Sequence, residues 1–104
     1  MRVELTRSGG LAGMQKTTTV DSEELPEEDA RRLETLVQQA DIETLARRSP
    51  LRGRGVDRFQ YDIVVSDREA RHEVTASEDA ATAELRALVE WLRQHAAGRH
   101  GGRP

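Results

Sequence analysis

Phe59-Gln60-Tyr61-Asp62-Ile63-Val64-Val65-Ser66 sets Phe59, Tyr61, Ile63 and Val65 at alternate positions, with Gln60, Asp62 and Ser66 among the residues between them. Successive side chains of an extended chain point to opposite faces, so this period of two marks a half-buried strand. Asp67-Arg68-Glu69-Ala70 follows as a tight connection, and the chain returns from His72 to Ala76 as a second strand. Strands joined this closely pair antiparallel.

Working outward, the N-terminus carries a second pair. Val3 and Leu5 alternate with Arg2, Glu4 and Thr6, and the short, β-branched segment Lys16-Thr17-Thr18-Thr19-Val20 supplies the partner. Between the two hairpins, carboxylates gather at Asp21, Glu23, Glu24, Glu27, Glu28 and Asp29 around Pro26. Proline at a first turn, with acidic groups facing the positive end of the helix dipole, is a helix start. Ala30, Leu33, Leu36, Val37 and Ala40 then form one apolar stripe, which should end near Asp41, with Ile42 and Leu45 adding a further apolar turn. Residues 47–56 turn to Arg, Gly, Ser and Pro and read as an exposed loop. The last element runs from about Ala80 to Ala96, with Leu85, Leu88, Val89 and Leu92 on one face, and Gly98 onward reads as a frayed tail.

The order ββαββα predicts an α+β fold. Its two layers are a four-stranded, mainly antiparallel sheet and two helices on one face, leaving the other face open to solvent. Residues 1–97 are expected to be one domain and residues 98–104 a disordered tail.

Composition narrows the function classes. The 104 residues are 36% hydrophobic with Phe59, Tyr61 and Trp91 as the aromatics, so the core must be mostly aliphatic. Charged residues make up 34% but are mixed in sign, for a net charge of −3, which argues against general affinity for nucleic acid. No apolar run approaches the ~20 residues a membrane span needs. Met1-Arg2-Val3-Glu4-Leu5-Thr6 reads as strand rather than as a secretory signal, so the cytoplasm is the expected location. Without cysteine there is no disulfide scaffold and no thiol chemistry.

The sequence offers no convincing catalytic constellation. His72, His95 and His100 have no metal-ligand spacing with a carboxylate or cysteine partner. No serine sits in a Gly-x-Ser-x-Gly turn, and Ser8-Gly9-Gly10 lacks the following helix and the Lys-Ser/Thr ending of a phosphate loop. The acidic cluster at residues 21–29 does not match an EF-hand loop and is better explained as a helix start. Trp91 falls beside the Leu88–Leu92 stripe, which suits packing at the core edge, with an interface anchor as the sharper reading. Phe59 and Tyr61 are expected to line the sheet under the helices. Arg47, Arg48, Arg52 and Arg54 form a basic stretch that suits a solvated loop or an acidic partner.

One stretch is left over. Ser8, Gly9, Gly10, Leu11, Ala12, Gly13 and Met14 place three glycines and two large apolar side chains between the first two strands. A hairpin connection normally lies on the surface and is polar. Leu11 and Met14 therefore either fold back to plug the end of the core or are presented to something else.

Several stretches together resemble the emfourin family: Arg2-Val3-Glu4-Leu5-Thr6-Arg7-Ser8-Gly9-Gly10-Leu11-Ala12-Gly13, Asp21-Ser22-Glu23-Glu24-Leu25-Pro26, Asp57-Arg58-Phe59-Gln60-Tyr61 and the closing helix from Leu85 to Arg93. The resemblance runs from Met1 to about His95 in order. Emfourins are small bacterial protein inhibitors of protealysin-like metalloproteases, which belong to the thermolysin family. The resemblance implies that the chain is not an enzyme, needs no cofactor and is a monomer when free. It implies a thermolysin-family metalloprotease as partner, with neither nucleic acid nor membrane, and leaderless export as an alternative to the cytoplasm. Proteases of that family have an apolar pocket just beyond the scissile bond, and Gly10-Leu11 reads like a bond they prefer. The protease-binding residues implied are Ser8, Gly9, Gly10, Leu11, Ala12, Gly13 and Met14. A second expectation, from another class, is a non-inhibitory adaptor that uses the open sheet face. The polar residues there (Glu4, Thr6, Gln60 and Asp62) weigh against it.

Overall fold

Both hairpins form, and they share one sheet. A computed structural model describes residues 1–9, 14–53 and 59–101. Its strands are β1 (Arg2–Gly9), β2 (Met14–Asp21), β3 (Phe59–Ser66) and β4 (Arg71–Ser77). They lie in the order β2-β1-β3-β4, every neighbouring pair antiparallel. The α+β class and the ββαββα order therefore hold. The β3–β4 turn is fixed by Asp67, whose carboxylate accepts the backbone N–H groups of Glu69 and Ala70 at 2.9 and 3.0 Å. Those two bonds hold the Asp67 carboxyl below its ordinary pKa of 3.8, since they favour the ionised form.

The helical layer holds three helices rather than the two expected: α1 (Glu27–Ala40), α2 (Ile42–Arg48) and α3 (Ala83–Gly101). The apolar turn at Ile42 and Leu45 is a helix of its own because Asp41 adopts the left-handed conformation, at φ 55° and ψ 53°, and breaks the axis. Aspartate tolerates that conformation better than most side chains. The acidic cluster serves as a pair of helix starts. Asp21 accepts the N–H of Glu23 at the head of a 3-10 turn, Glu27, Glu28 and Asp29 fill the first turn of α1, and Glu27 pairs with Arg31 at 3.0 Å. α3 begins at Ala83 rather than Ala80, because residues 78–80 form a separate 3-10 turn.

α3 packs on β2, α2 on β4, and α1 against α3. The core between the layers is aliphatic, as the composition required. Val3, Leu5, Val20, Ile63 and Val74 of the sheet meet Leu33, Leu85, Leu88 and Leu92 of the helices, all with almost no exposure. Among the described residues no helix is long and apolar enough to cross a membrane.

Candidate functional site

β1 ends where β2 and β3 begin and β4 finishes, so one end of the sheet gathers four chain segments. Gly9 pairs with Met14 on one side and Phe59 on the other, and Gln60 pairs with Ser77. This is the root of the glycine-rich hairpin. Ser8 pairs with Gln15 and Gln60, and Gly9 has φ 124°, a backbone conformation that side-chain-bearing residues rarely adopt. Met14 opens β2. Gly10, Leu11, Ala12 and Gly13 lie outside the described residues.

Burial falls off along β1 toward this end. Along the covered face of β1, Val3 and Leu5 are buried, whereas Arg7 is only half-buried and its register partner Lys16 is exposed. Arg7 occupies the next core-facing position of the period-two series, and its guanidinium carbon lies 3.8 Å from the centre of the Phe59 ring. Phe59 thus sits on the expected sheet face, half-buried, with an arginine over its ring. The Arg7 Nε atom is buried with no hydrogen-bond partner among the described residues. Tyr61, the register partner of Arg7, is buried and donates its hydroxyl to Glu78 Oε2 at 3.0 Å. Burial raises the Tyr61 pKa above its ordinary 10.0, the Glu78 carboxylate raises it further, and Arg7 pulls it back. Tyr61 and Glu78 open onto a cleft of about 490 Å³, with Arg86, Glu90 and Arg93 of α3 on its wall.

The stretch expected to be an exposed loop is, in its first half, a strap along the outer edge of β4. Ser49 Oγ accepts the N–H of Thr75 at 2.6 Å, and Leu51 N–H donates to Thr75 O at 2.7 Å. Ser77 N–H donates to Leu51 O at 2.8 Å, and Gly53 N–H donates to Ser77 Oγ at 2.7 Å. The edge that β4 would otherwise offer to another strand is therefore occupied over this length. Its arginines are spread over more than one element. Arg47 and Arg48 close α2, with Arg47 on Glu43 at 3.3 Å, while Arg52 belongs to the strap and Arg54 lies outside the described residues.

The remaining candidates are structural. Trp91 is half-buried against the core, and its ring stacks on His95 at 3.7 Å. His95 in turn places Nδ1 3.0 Å from Trp91 O and Nε2 4.0 Å from Asp29. His72 lies half-buried on β4 opposite Val65, and among the described residues no group of His, Cys, Asp and Glu could hold a metal ion. On the open sheet face, Thr6 bonds Thr17 at 3.1 Å, Thr75 donates to Asp62 at 2.6 Å, and Arg71 pairs with Glu73. Side chains that satisfy one another in this way suit a solvated surface. The Arg7 stack and the strap are not evident from the sequence pattern. Only the first had a signal, an arginine on the same alternation as Val3 and Leu5.

A comparison with family models matches residues 5–93 to the family described as Emfourin. No curated protein and no solved structure matches the chain.

Proposed function

The chain belongs to the emfourin family, and on that premise we propose that it is a protein inhibitor of thermolysin-family zinc metalloproteases, with residues 8–14 as the segment that blocks the active-site cleft. The observation that carries this reading is the family match over residues 5–93. Two features of the hairpin root support the choice of segment. Arg7 over Phe59 already supplies side-chain cover at this end of the sheet, which favours presentation of Leu11 and Met14 over their use as a plug. The root is also held on both sides by β-pairing, Gly9 to Met14 and Gly9 to Phe59. Each backbone residue fixed before binding spares about 1–2 kcal/mol of ordering entropy, so a hairpin-held segment binds better than the same peptide free.

In this reading Leu11 enters the apolar pocket beyond the scissile-bond position, and the glycines let the backbone approach the cleft closely. The zinc belongs to the protease, and the inhibitor's contribution is shape and apolar area. Burying one leucine side chain is worth about 1.5–3 kcal/mol, a factor of roughly 10 to 150 in affinity. The test is titration of thermolysin and a protealysin-like enzyme with purified protein, using a short peptide substrate. Competitive inhibition is expected, weakened at least tenfold by Leu11→Asp (for scale, ~1.4 kcal/mol). Full inhibition by a folded Leu11→Asp variant removes Leu11 from the mechanism. No inhibition of either enzyme favours the adaptor reading, in which the open sheet face makes the contact.

A further inference from the structure

The end of the sheet poses a problem that the inhibitor reading leaves open. Arg7 stands on the covered face in the series Val3, Leu5, Arg7, and it leaves a buried Nε atom without a hydrogen-bond partner among the described residues. A leucine there would extend the aliphatic core at no such cost. The arginine instead makes two connections that leucine cannot. Its guanidinium lies over the Phe59 ring at 3.8 Å, and Phe59 is the β3 residue paired with Gly9. Its charge also acts on the Tyr61 hydroxyl, which donates to Glu78 at 3.0 Å in the 3-10 turn after β4. Arg7 thus ties β1 to the start of β3 through the Phe59 ring, beside the Tyr61–Glu78 bond that fastens β3 to the segment leaving β4. Gly9, two residues on, then takes φ 124° as the chain departs from the sheet.

We propose that Arg7, stacked on Phe59 and paired in register with Tyr61, is a positioning residue that fixes the direction in which the chain leaves β1 and thereby sets the affinity of the hairpin for its protease. The proposal rests on the inhibitor reading for its partner. Arg7 itself does not touch the protease. Its contribution is made in the free protein, by holding Gly9 and Met14 in register so that less ordering remains for binding.

The experiment replaces Arg7 with methionine, which keeps the apolar stem and removes the cation, and with lysine, which keeps the cation. Three quantities are read: inhibition of thermolysin, thermal stability, and amide hydrogen exchange at Gly9 and Gln15 in the free protein. Arg7→Met should exchange faster at Gly9 and Gln15 while Val3 and Ile63 keep their protection. Its inhibition constant should rise about threefold to thirtyfold, the change that a contact of this type carries. Arg7→Lys should recover part of both effects. Unchanged exchange in folded Arg7→Met overturns the brace. A raised inhibition constant with unchanged exchange overturns it too, because Arg7 then touches the protease directly. Faster exchange with an unchanged inhibition constant overturns the link to affinity. A parent protein that inhibits no thermolysin-family enzyme defeats the inhibitor reading instead, and the exchange measurement still decides the brace.

Discussion

Gly53→Ala tests how the strap is seated on β4, and the structure gives the size of the effect. Gly53 is not in the left-handed region, so its backbone accepts alanine and only space matters. The added Cβ would lie 1.9–2.1 Å from the Asp79 carboxylate, far inside contact distance. Asp79 is exposed and can swing into water, but it then gives up the hydrogen bond from Ser77 Oγ at 2.9 Å. If the strap moves instead, the Gly53 N–H loses Ser77 Oγ at 2.7 Å. Either route costs about 1–2 kcal/mol, which lowers Tm by roughly 5–15 °C in a domain of this size. Asp79→Ala should cost about 1 kcal/mol alone, through the same bond. In that background the space is free, and Gly53→Ala should cost less than about 0.5 kcal/mol, since alanine also restricts the unfolded chain. Urea unfolding followed by Trp91 fluorescence measures all four proteins. A coupling of about 1 kcal/mol exceeds the ~0.3–0.5 kcal/mol scatter of independent sites. Equal costs for Gly53→Ala in both backgrounds would refute the close approach of strap and turn.

Two further predictions concern pH. The Tyr61 pKa is raised in the folded protein, so the folded state holds the hydroxyl proton more tightly than the unfolded chain. Its contribution is full below the ordinary value of 10.0 and is lost as pH rises past it. Tyr61→Phe should lose about 0.5–1.5 kcal/mol at neutral pH with the Glu78 bond, yet show a flatter stability curve above pH 10, read by urea unfolding. The Asp67 carboxyl is shifted the other way, so its contribution is present above 3.8 and is lost as pH falls through the lowered folded value. Asp67→Asn keeps an acceptor for Glu69 and Ala70 N–H groups but cannot titrate. Its Tm should therefore fall less steeply than the parent's between neutral pH and the acid limb, and parallel curves would remove Asp67 from acid sensitivity.

Most of the architecture was legible because two periodicities carry it. Alternation in Phe59–Ser66 and Arg2–Thr6 fixed which strand residues face the core, and the stripes through Leu36 and Leu88 fixed which helix faces cover them. Where the reading went astray, a single backbone angle or a long-range bond decided the outcome. The left-handed Asp41 divides one apolar stripe into α1 and α2. Residues 49–53 look like loop by composition and become a strap through hydrogen bonds to Thr75 and Ser77, more than twenty residues away. Local propensity contains neither fact.

The hairpin root shows why the site was only half legible. Its glycines announce unusual backbone, and Gly9 at φ 124° bears that out. What composition could not supply is the reason for Arg7, since an arginine between Thr6 and Ser8 reads as an ordinary polar strand residue. Its meaning comes from parity. As the third member of the series Val3, Leu5, Arg7 it faces the core side, at the row of β1 where burial falls from complete to partial. A half-covered row suits a side chain with an apolar stem and a charged head. Phe59 supplies, from the neighbouring strand, the ring on which this head stacks. An arginine–aromatic layer thus follows the aliphatic rows at this end of the sheet. On the inhibitor reading, the large apolar side chain that the sequence sets between Gly9 and Met14 is the one offered to the protease, and this is why Leu11, rather than any residue of the polar open face, is the side chain to test first.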